Sequence, residues 1–237
     1  LQSMQQVWAT KHRPTDLGEF QGQDHLIDEV KAICEGKAPM QHYIFYSPEA
    51  GTGKTSLAHI MANALGYTIH KYNASSKRQR GIEFVEEELA PMSRLGQFET
   101  IFFLDEADQL TPAAQSALKG VIEDSQGFFI LTCNDLSKVS PWLQSRCQVR
   151  TFEPLSDDSI GRRLVEVCIM EGLSMPASDV MTITQANQGD LRNAINTLQA
   201  YHSLPVDKRQ SFLLSLVEPP FDAQRVLTLC FKEGRAE

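Results

Sequence analysis

The sequence predicts an α/β fold in which a parallel sheet is flanked by helices and is followed by a smaller, all-helical region. The first observation is a strand, a glycine-bearing loop and a helix in direct succession over residues 41–65. The second is a β-rich apolar run that ends in two adjacent carboxylates, Asp105 and Glu106. The third is helical periodicity from Ser159 to about Val217. Apolar strands that alternate with amphipathic helices are typical of a parallel sheet.

The composition is that of an ordinary globular protein. The chain has 237 residues, of which 42% are hydrophobic and 22% are charged, so one large and one smaller domain are expected. A net charge of −8 argues against a surface that is basic throughout, but it permits one local basic face. No apolar stretch approaches the roughly 20 residues of a membrane span, so no membrane partner is expected.

The cysteines indicate a reducing compartment. They are odd in number and never form a C-x-x-C pair, which predicts neither a disulfide framework nor a zinc site. We therefore expect an intracellular, cytoplasmic protein, with a bacterial host cell as its location if it is viral. Residues 1–3 precede a plausible native start at Met4, and nothing nearby has the pattern of a signal peptide. The five cysteines are Cys34, Cys133, Cys147, Cys168 and Cys230.

The first strand leads into a glycine-bearing loop. The run "QHYIFYS" (41–47) predicts a strand that stops at Pro48. After Lys54, apolar residues recur at helical spacing until Gly66, which is expected to end the helix. Strand, loop and helix thus follow in the order that a phosphate-binding loop requires. The helix residues that share one face are Leu57, Ile60, Met61, Ala64 and Leu65.

The loop "SPEAGTGKTS" (47–56) has Pro48 where the pattern G-x-x-x-x-G-K-[ST] has its first glycine. Proline changes the path into the loop, but the amides that cradle phosphate belong mainly to the later residues. Lys54 can reach the β and γ phosphates, and Thr55 offers a hydroxyl to Mg²⁺. The predicted nucleotide-binding residues of the loop are Gly51, Thr52, Gly53, Lys54, Thr55 and Ser56.

The run "FETIFFLDEADQL" (98–110) predicts a second strand whose C-terminal end bears the acidic pair. Ligands of open α/β sheets bind at this end of the strands. Asp105 can hold Mg²⁺ through water, and Glu106 can orient and deprotonate an attacking water. The alternative is a solvated charge run, which the four preceding apolar residues disfavour.

Three further polar residues follow in order along the chain. A third strand, "FFILTCN" (128–134), ends in Asn134, which could hold the lytic water. Arg146 follows a helical turn in "SPWLQSRCQ" (140–148). In "GDLRNAINTLQ" (189–199) the apolar residues face a core, whereas Arg192 points elsewhere. Taken singly, each of these three side chains is an ordinary turn or surface residue.

The series GTGKT, FFLDEAD, TCN, SRC and GDLR resembles the AAA+ ATPases, and SRC resembles the sliding-clamp loaders in particular. The segments "VWATKHRPTDLGEFQGQ" (7–23), "NASSKRQRGIEFV" (73–85) and "LTPAAQSALKGVIED" (110–124) are similar to segments of replication factor C small subunits. The Ser-Pro form of the loop looks most like the ATPase subunit of T-even-type bacteriophage clamp loaders. The resemblance implies an AAA+ P-loop ATPase core with a small all-α lid domain.

The resemblance also implies roles for individual residues. Asn134 would be sensor 1, Arg192 would be sensor 2 acting in cis, and Arg146 would be an arginine finger acting in trans. His12 stands where the family usually has tyrosine, and Ser76 replaces an aspartate. The implied catalytic set is Lys54, Glu106, Asn134, Arg146 and Arg192, the metal set is Thr55 and Asp105, and the adenine and ribose would lie against Lys11, His12, Arg13, Phe20 and Gln21.

Basic residues are concentrated in "HKYNASSKRQRG" (70–81), which includes Lys71. Duplex phosphates could meet Lys77, Arg78 and Arg80 there, and such contacts would be independent of base sequence and sensitive to salt. The alternative is a solvated loop with no ligand.

The expected organisation is an AAA+ nucleotide-binding core over 4–152, a helical lid over 153–217, and the start of a C-terminal collar domain over 218–237. The expected function is that of an ATP-hydrolysing, Mg²⁺-dependent subunit that opens a sliding clamp and places it on primed DNA. Its partners would be the other subunits of a pentameric ring, the clamp and primer-template DNA.

Two alternatives stay open. The first is a non-hydrolysing structural subunit, for which Pro48 is the only support. The second is another AAA+ DNA motor, such as a Holliday-junction branch-migration motor. Such motors insert a hairpin after the acidic strand, whereas only about 17 residues (111–127) lie between Leu110 and Phe128 here, and one helix fills them.

Overall fold

The computed structural model describes residues 6–95 and 98–217. Its strands are β1 Tyr43–Tyr46, β2 Thr68–Asn73, β3 Thr100–Asp105, β4 Phe128–Cys133 and β5 Gln148–Thr151. They form one sheet at the centre, in the order β2-β3-β4-β1-β5, and every neighbouring pair is parallel. The three strands expected from the sequence, β1, β3 and β4, are confirmed.

Helices cover both faces of the sheet and form the region that follows it. A π-helical segment, Phe84–Leu89, runs directly into α4. No helix in the described ranges is both long enough and apolar enough to cross a membrane. The helices are α1 Trp8–Lys11, α2 Asp24–Cys34, α3 Lys54–Leu65, α4 Ala90–Leu95, α5 Pro112–Asp124, α6 Pro141–Arg146, α7 Asp157–Glu171, α8 Ala177–Ala186, α9 Leu191–Ser203 and α10 Val206–Val217.

Alternation along β3 divides the core between the two faces of the sheet. Phe102 and Leu104 belong to the cluster that includes residues of α5 and of the π-helical segment. Ile101 and Phe103 belong to the opposite cluster, which includes residues of α2 and α3. By the same alternation, the last residue of the strand, Asp105, lies on the α3 side, at the edge where the phosphate loop begins.

The start and end of α3 follow from its sequence. Strand β1 ends at Tyr46, before Pro48, and the helix begins at Lys54. The helix ends at Leu65 and is capped by Gly66, whose φ of 71° is the left-handed conformation that glycine adopts at little cost. The expected order of strand, loop and helix is therefore confirmed.

The helices after β5 form a third core. Ile160, Leu164, Ile183 and Leu198 are fully buried within it. Trp8 of α1 also packs into this cluster, and its main-chain N–H donates to Oε1 of Gln199 at 2.9 Å. The N-terminal segment is thereby attached to the helical region. The expected collar segment, 218–237, and Cys230 lie outside the described residues.

Candidate nucleotide-binding site

One cleft lies at the C-terminal edge of the sheet, between the N-terminal segment and α9. Most of the residues that the sequence singled out line it, although they come from distant parts of the chain. The predicted residues in its lining are His12, Arg13, Phe20, Gln21, Gly51, Thr52, Gly53, Lys54, Thr55, Ser56, Asp105, Glu106, Asn134 and Arg192. Lys11, Arg146, Lys77, Arg78 and Arg80 do not line it.

The phosphate loop offers hydrogen-bond donors that the protein itself leaves free. No side chain in the described ranges caps the N-terminus of α3. Among the described residues, the backbone N–H groups of Gly51 to Ser56 find no protein acceptor. The hydroxyl of Thr52 is also buried, and no group in that part of the chain bonds it. Free amides at the positive end of a 12-residue helix are the donors that a phosphate group requires, so the loop fits a nucleotide.

Two glycines let the loop pack closely against its neighbours. Gly53 has a φ of 99°, and a Cβ there would lie 2.7 Å from the ring of Phe20. Gly51 has a φ of 72°, and a Cβ there would collide with the carboxylate of Asp190. The N–H of Leu191 donates to the carbonyl oxygen of Gly51 at 3.2 Å. The start of α9 is thus joined directly to the phosphate loop.

Lys54 and Asn134 are in direct contact. The Lys54 ammonium donates to Oδ1 of Asn134 at 2.8 Å. Burial lowers the pKa of Lys54, and nearby Asp105 opposes this shift. Nothing in the sequence pattern indicates what holds Asn134: buried Asp108 accepts from the N–H groups of Asn134 and Asp135, at 3.3 and 3.2 Å. Asp108 therefore fixes the turn that presents Asn134 to the cleft.

The acidic pair sits in a constrained turn at the end of β3. Glu106 has φ and ψ of 56° and 46°, a left-handed conformation that costs a non-glycine residue about 1–2 kcal/mol. Its N–H donates to the hydroxyl of Thr132 at 3.0 Å, and that hydroxyl lies 2.5 Å from Oδ1 of Asp105. The carboxylate of Asp105 and the main chain of Glu106 are thereby held at the cleft.

Thr55 and Asp105 supply two oxygen donors to the same cleft. Mg²⁺ prefers oxygen ligands and is commonly bound through one or two protein groups together with phosphates and waters. This donor set therefore fits Mg²⁺ held beside a nucleotide, with Thr55 at the start of α3 and Asp105 at the end of β3.

The N-terminal segment closes one side of the cleft. His12 is buried, and its Nε2 lies 2.6 Å from Oε1 of Glu171 in α7. Arg163, also in α7, donates to the carbonyl oxygen of His12 at 2.8 Å. The structure does not bring Lys11 into the cleft, because its ammonium forms an ion pair with Glu171 at 2.5 Å. Arg13 does line the cleft, where burial and then the charge of Arg192 lower its pKa.

Arg146 ends α6 and does not line the cleft that contains its own phosphate loop. Its Nε and Nη2 donate to Oε1 of Glu123 in α5, at 2.7 and 2.5 Å. The sequence did not single out Gln115, which is buried and supports the start of α6. Its amide donates to the carbonyl oxygen of Lys138 at 2.8 Å and accepts from the N–H of Ser140 at 2.7 Å.

The basic segment divides into two parts. Lys77, Arg78 and Arg80 are exposed on the connection between β2 and the π-helical segment, and Arg78 makes a long contact to Glu88, at 3.4 Å. Lys71 instead lies on β2, with its ammonium 6.0 Å from the centre of the Phe103 ring, on the face of α3. Lys71 is also exposed, but it lies on β2 and not on the connection that carries the other three.

The family model and the relatives that match this chain agree with the resemblance that its sequence motifs indicate. Residues 43–155 match the model of the ATPase family associated with various cellular activities (AAA). Replication factor C small subunits are similar over most of the chain: that of Thermoplasma acidophilum is 35% identical over 209 residues, or 84% of this chain and 65% of the relative. That of Methanosarcina acetivorans is 36% identical over 214 residues, or 86% and 63%. The chain thus spans slightly less than two thirds of these relatives' length.

Solved structures show the same fold at low sequence identity. The Thermotoga maritima RuvB Holliday junction branch migration motor superposes with a TM-score of 0.73 and 19% identity, over 86% of this chain and 72% of that one. Residues 106–127 of this chain connect β3 to β4, and the structure describes all of them. They contain α5 and no strand, so no β-hairpin follows the acidic strand there. The chain therefore has the AAA+ P-loop fold, and its sequence is similar to those of the replication factor C small subunits.

Proposed function

We propose that the chain is an ATP-binding and ATP-hydrolysing subunit of a sliding-clamp loader, which opens the clamp and places it on primed DNA. The observation that supports hydrolysis is the convergence of a free phosphate loop, an acidic pair, Asn134 and Arg192 on one cleft. The support for clamp loading is the similarity to replication factor C small subunits. The further similarity of the Ser-Pro loop to T-even phage subunits is part of the same proposal.

Each residue of the cleft has a separate role in hydrolysis. The amides of the loop bind the phosphates. When nucleotide binds, the Lys54 ammonium leaves Oδ1 of Asn134 and contacts the β and γ phosphates instead. Thr55 and Asp105 would hold Mg²⁺, which would supply positive charge to neutralise the transferred phosphoryl group. Glu106 accepts the proton of the attacking water, Asn134 orients that water, and Arg192 reaches the γ phosphate from the start of α9.

Pro48 does not argue against this activity. It lies after the end of β1 and before the amides that are free to bind phosphate. The alternative, a nucleotide-binding subunit that does not hydrolyse, leaves unexplained why Asp105 and Glu106 are both held at the cleft.

The proposed assembly is a ring in which Arg146 completes the site of a neighbouring subunit. In its own chain this residue lies outside the cleft. We propose a nucleotide-binding core over 4–152, a lid over 153–217 and the beginning of a collar over 218–237. Other loader subunits, the clamp and primer-template DNA are the proposed partners, and the cytoplasm is the proposed location.

Replacing Lys54 with alanine should abolish nucleotide binding, because the substitution removes the only ammonium group that lines the described cleft. Calorimetry with ADP and Mg²⁺ should show binding to the parent chain and none to the Lys54→Ala variant. A matched control is Lys37→Ala, since Lys37 is exposed and paired with Glu35. Failure of the parent to bind would favour a vestigial site.

Neutralising Lys77, Arg78 and Arg80 together should weaken primer-template binding by the assembled loader, whatever the base sequence. The slope of log affinity against log salt should flatten by about one unit for each DNA phosphate that the variant no longer neutralises. Alanine at three exposed lysines elsewhere, Lys31, Lys37 and Lys208, serves as the charge-matched control. An unchanged slope in the test variant would assign this segment to a solvated loop.

A further inference from the structure

We infer that the Thr132 hydroxyl is a positioning group that fixes both members of the acidic pair, an inference that rests on the proposed hydrolysis. Thr132 lies on β4, is 1% exposed and lines the cleft. The paired strands match Leu104 with Leu131, so the next residue on each strand brings Asp105 beside Thr132. Neither threonine chemistry nor a strand position alone would indicate this role.

The hydrogen bonds of the hydroxyl have one consistent direction. The N–H of Glu106 can only donate, so Thr132 Oγ1 accepts from it, at 3.0 Å. The hydroxyl proton is then free to be donated to Oδ1 of Asp105, 2.5 Å away. One side chain therefore connects the main chain of Glu106 to the carboxylate of Asp105, and it leaves Oδ2 of Asp105 available for a ligand.

This contact replaces a main-chain hydrogen bond where the sheet ends. On one side of β3, the carbonyl oxygen of Asp105 still accepts from the N–H of Ala74, at 2.9 Å. On the other side, the pairing of β3 with β4 stops at Leu104 and Leu131. The left-handed turn at Glu106 therefore directs an N–H group to the Thr132 side chain instead of to a strand.

Valine and serine separate the hydroxyl from the shape of the residue. Thr132→Val keeps the branched volume but leaves the Glu106 N–H and the Asp105 carboxylate without their partner. Thr132→Ser keeps the hydroxyl and removes one methyl group. Loss of a hydrogen-bond partner that orients a metal ligand typically costs about 10- to 100-fold in metal affinity or activity. We expect that loss for valine and a change within about threefold for serine.

The experiment uses two measurements on the same variants. Calorimetry follows ADP binding with and without Mg²⁺, and steady-state assays of the full-length protein in its assembled loader give kcat and KM for ATP. The matched control is Thr184→Val, because Thr184 is equally buried but lies in α8, where its hydroxyl donates to the carbonyl oxygen of Val180 at 2.8 Å. Thermal unfolding of each variant shows that it is folded.

The inference predicts that Thr132→Val lowers kcat and the Mg²⁺-dependent gain in ADP affinity, while the affinity for ADP without Mg²⁺ stays near that of the parent. Thr132→Ser should restore both quantities, and Thr184→Val should change neither. Equal losses in valine and serine variants, or parent-like values for Thr132→Val, would overturn the inference. If the parent showed no turnover, the proposed hydrolysis would be refuted separately. Calorimetry of ADP binding with and without Mg²⁺ would still test the role of Thr132.

Discussion

Replacing Glu106 with glutamine should preserve ATP binding and lower turnover by about 10²- to 10⁴-fold, the range typical for loss of a positioned general base. Glutamine keeps the size and the main-chain donor to Thr132 but cannot accept the proton of the attacking water. Calorimetry would measure binding, and phosphate release from the assembled loader would measure turnover.

The matched control for this substitution is Glu99→Gln, an exposed carboxylate that lies just before β3, at the opposite end of the strand. It should behave as the parent does. If Glu106→Gln retained turnover within a few-fold of the parent, another group would have to orient the water, and the assignment of Glu106 would be wrong.

Replacing Arg146 with alanine should spare nucleotide affinity and lower hydrolysis by roughly 10³- to 10⁵-fold, or on the order of 4–7 kcal/mol. Its guanidinium is bonded to Glu123 and does not line the cleft of its own chain. We therefore expect it to act on a neighbour. The 237-residue chain by itself should bind nucleotide but hydrolyse it slowly, because a loosely held neighbour supplies the arginine at low effective concentration.

Mixed assemblies test whether Arg146 acts across an interface. An Arg146→Ala subunit keeps an intact Glu106, and a Glu106→Gln subunit keeps an intact finger, so their mixture should recover part of the missing activity. In the control mixture, an Arg162→Ala subunit replaces the Arg146→Ala subunit. Arg162 is exposed on α7 and pairs with Asp158. No recovery in assemblies shown to contain both subunits would contradict an action in trans.

Local sequence patterns were sufficient for the elements that form the phosphate site. Apolar runs predicted β1, β3 and β4, and helical spacing predicted α3 and the face of α9 that packs inward. Strands β2 and β5 were not assigned, because "TIHKYN" and "QVRT" are mostly polar. They lie at the two edges of the described sheet, where one side of each strand pairs with no other described strand and burial is incomplete.

Contacts between distant segments could not be predicted in the same way. Thr132, Asp108 and Gln115 find their partners only once strand register and turns are set, and none of the three has a distinctive spacing. Lys11 was expected beside the nucleotide, but α1 packs on the helical region, where its ammonium meets Glu171. Lys71 belongs to the same basic segment and is also exposed, but it lies on the face of β2 nearest α3, apart from the connection after that strand.

The most direct test of the proposed function is the rate of ATP hydrolysis by the full-length protein in its assembled loader, measured with and without primed DNA and clamp. We expect slow hydrolysis alone, clear stimulation when both are present, and no stimulated rate in the Glu106→Gln assembly. Tight nucleotide binding with no hydrolysis under any of these conditions would contradict the account and would identify the chain as a structural, non-hydrolysing subunit.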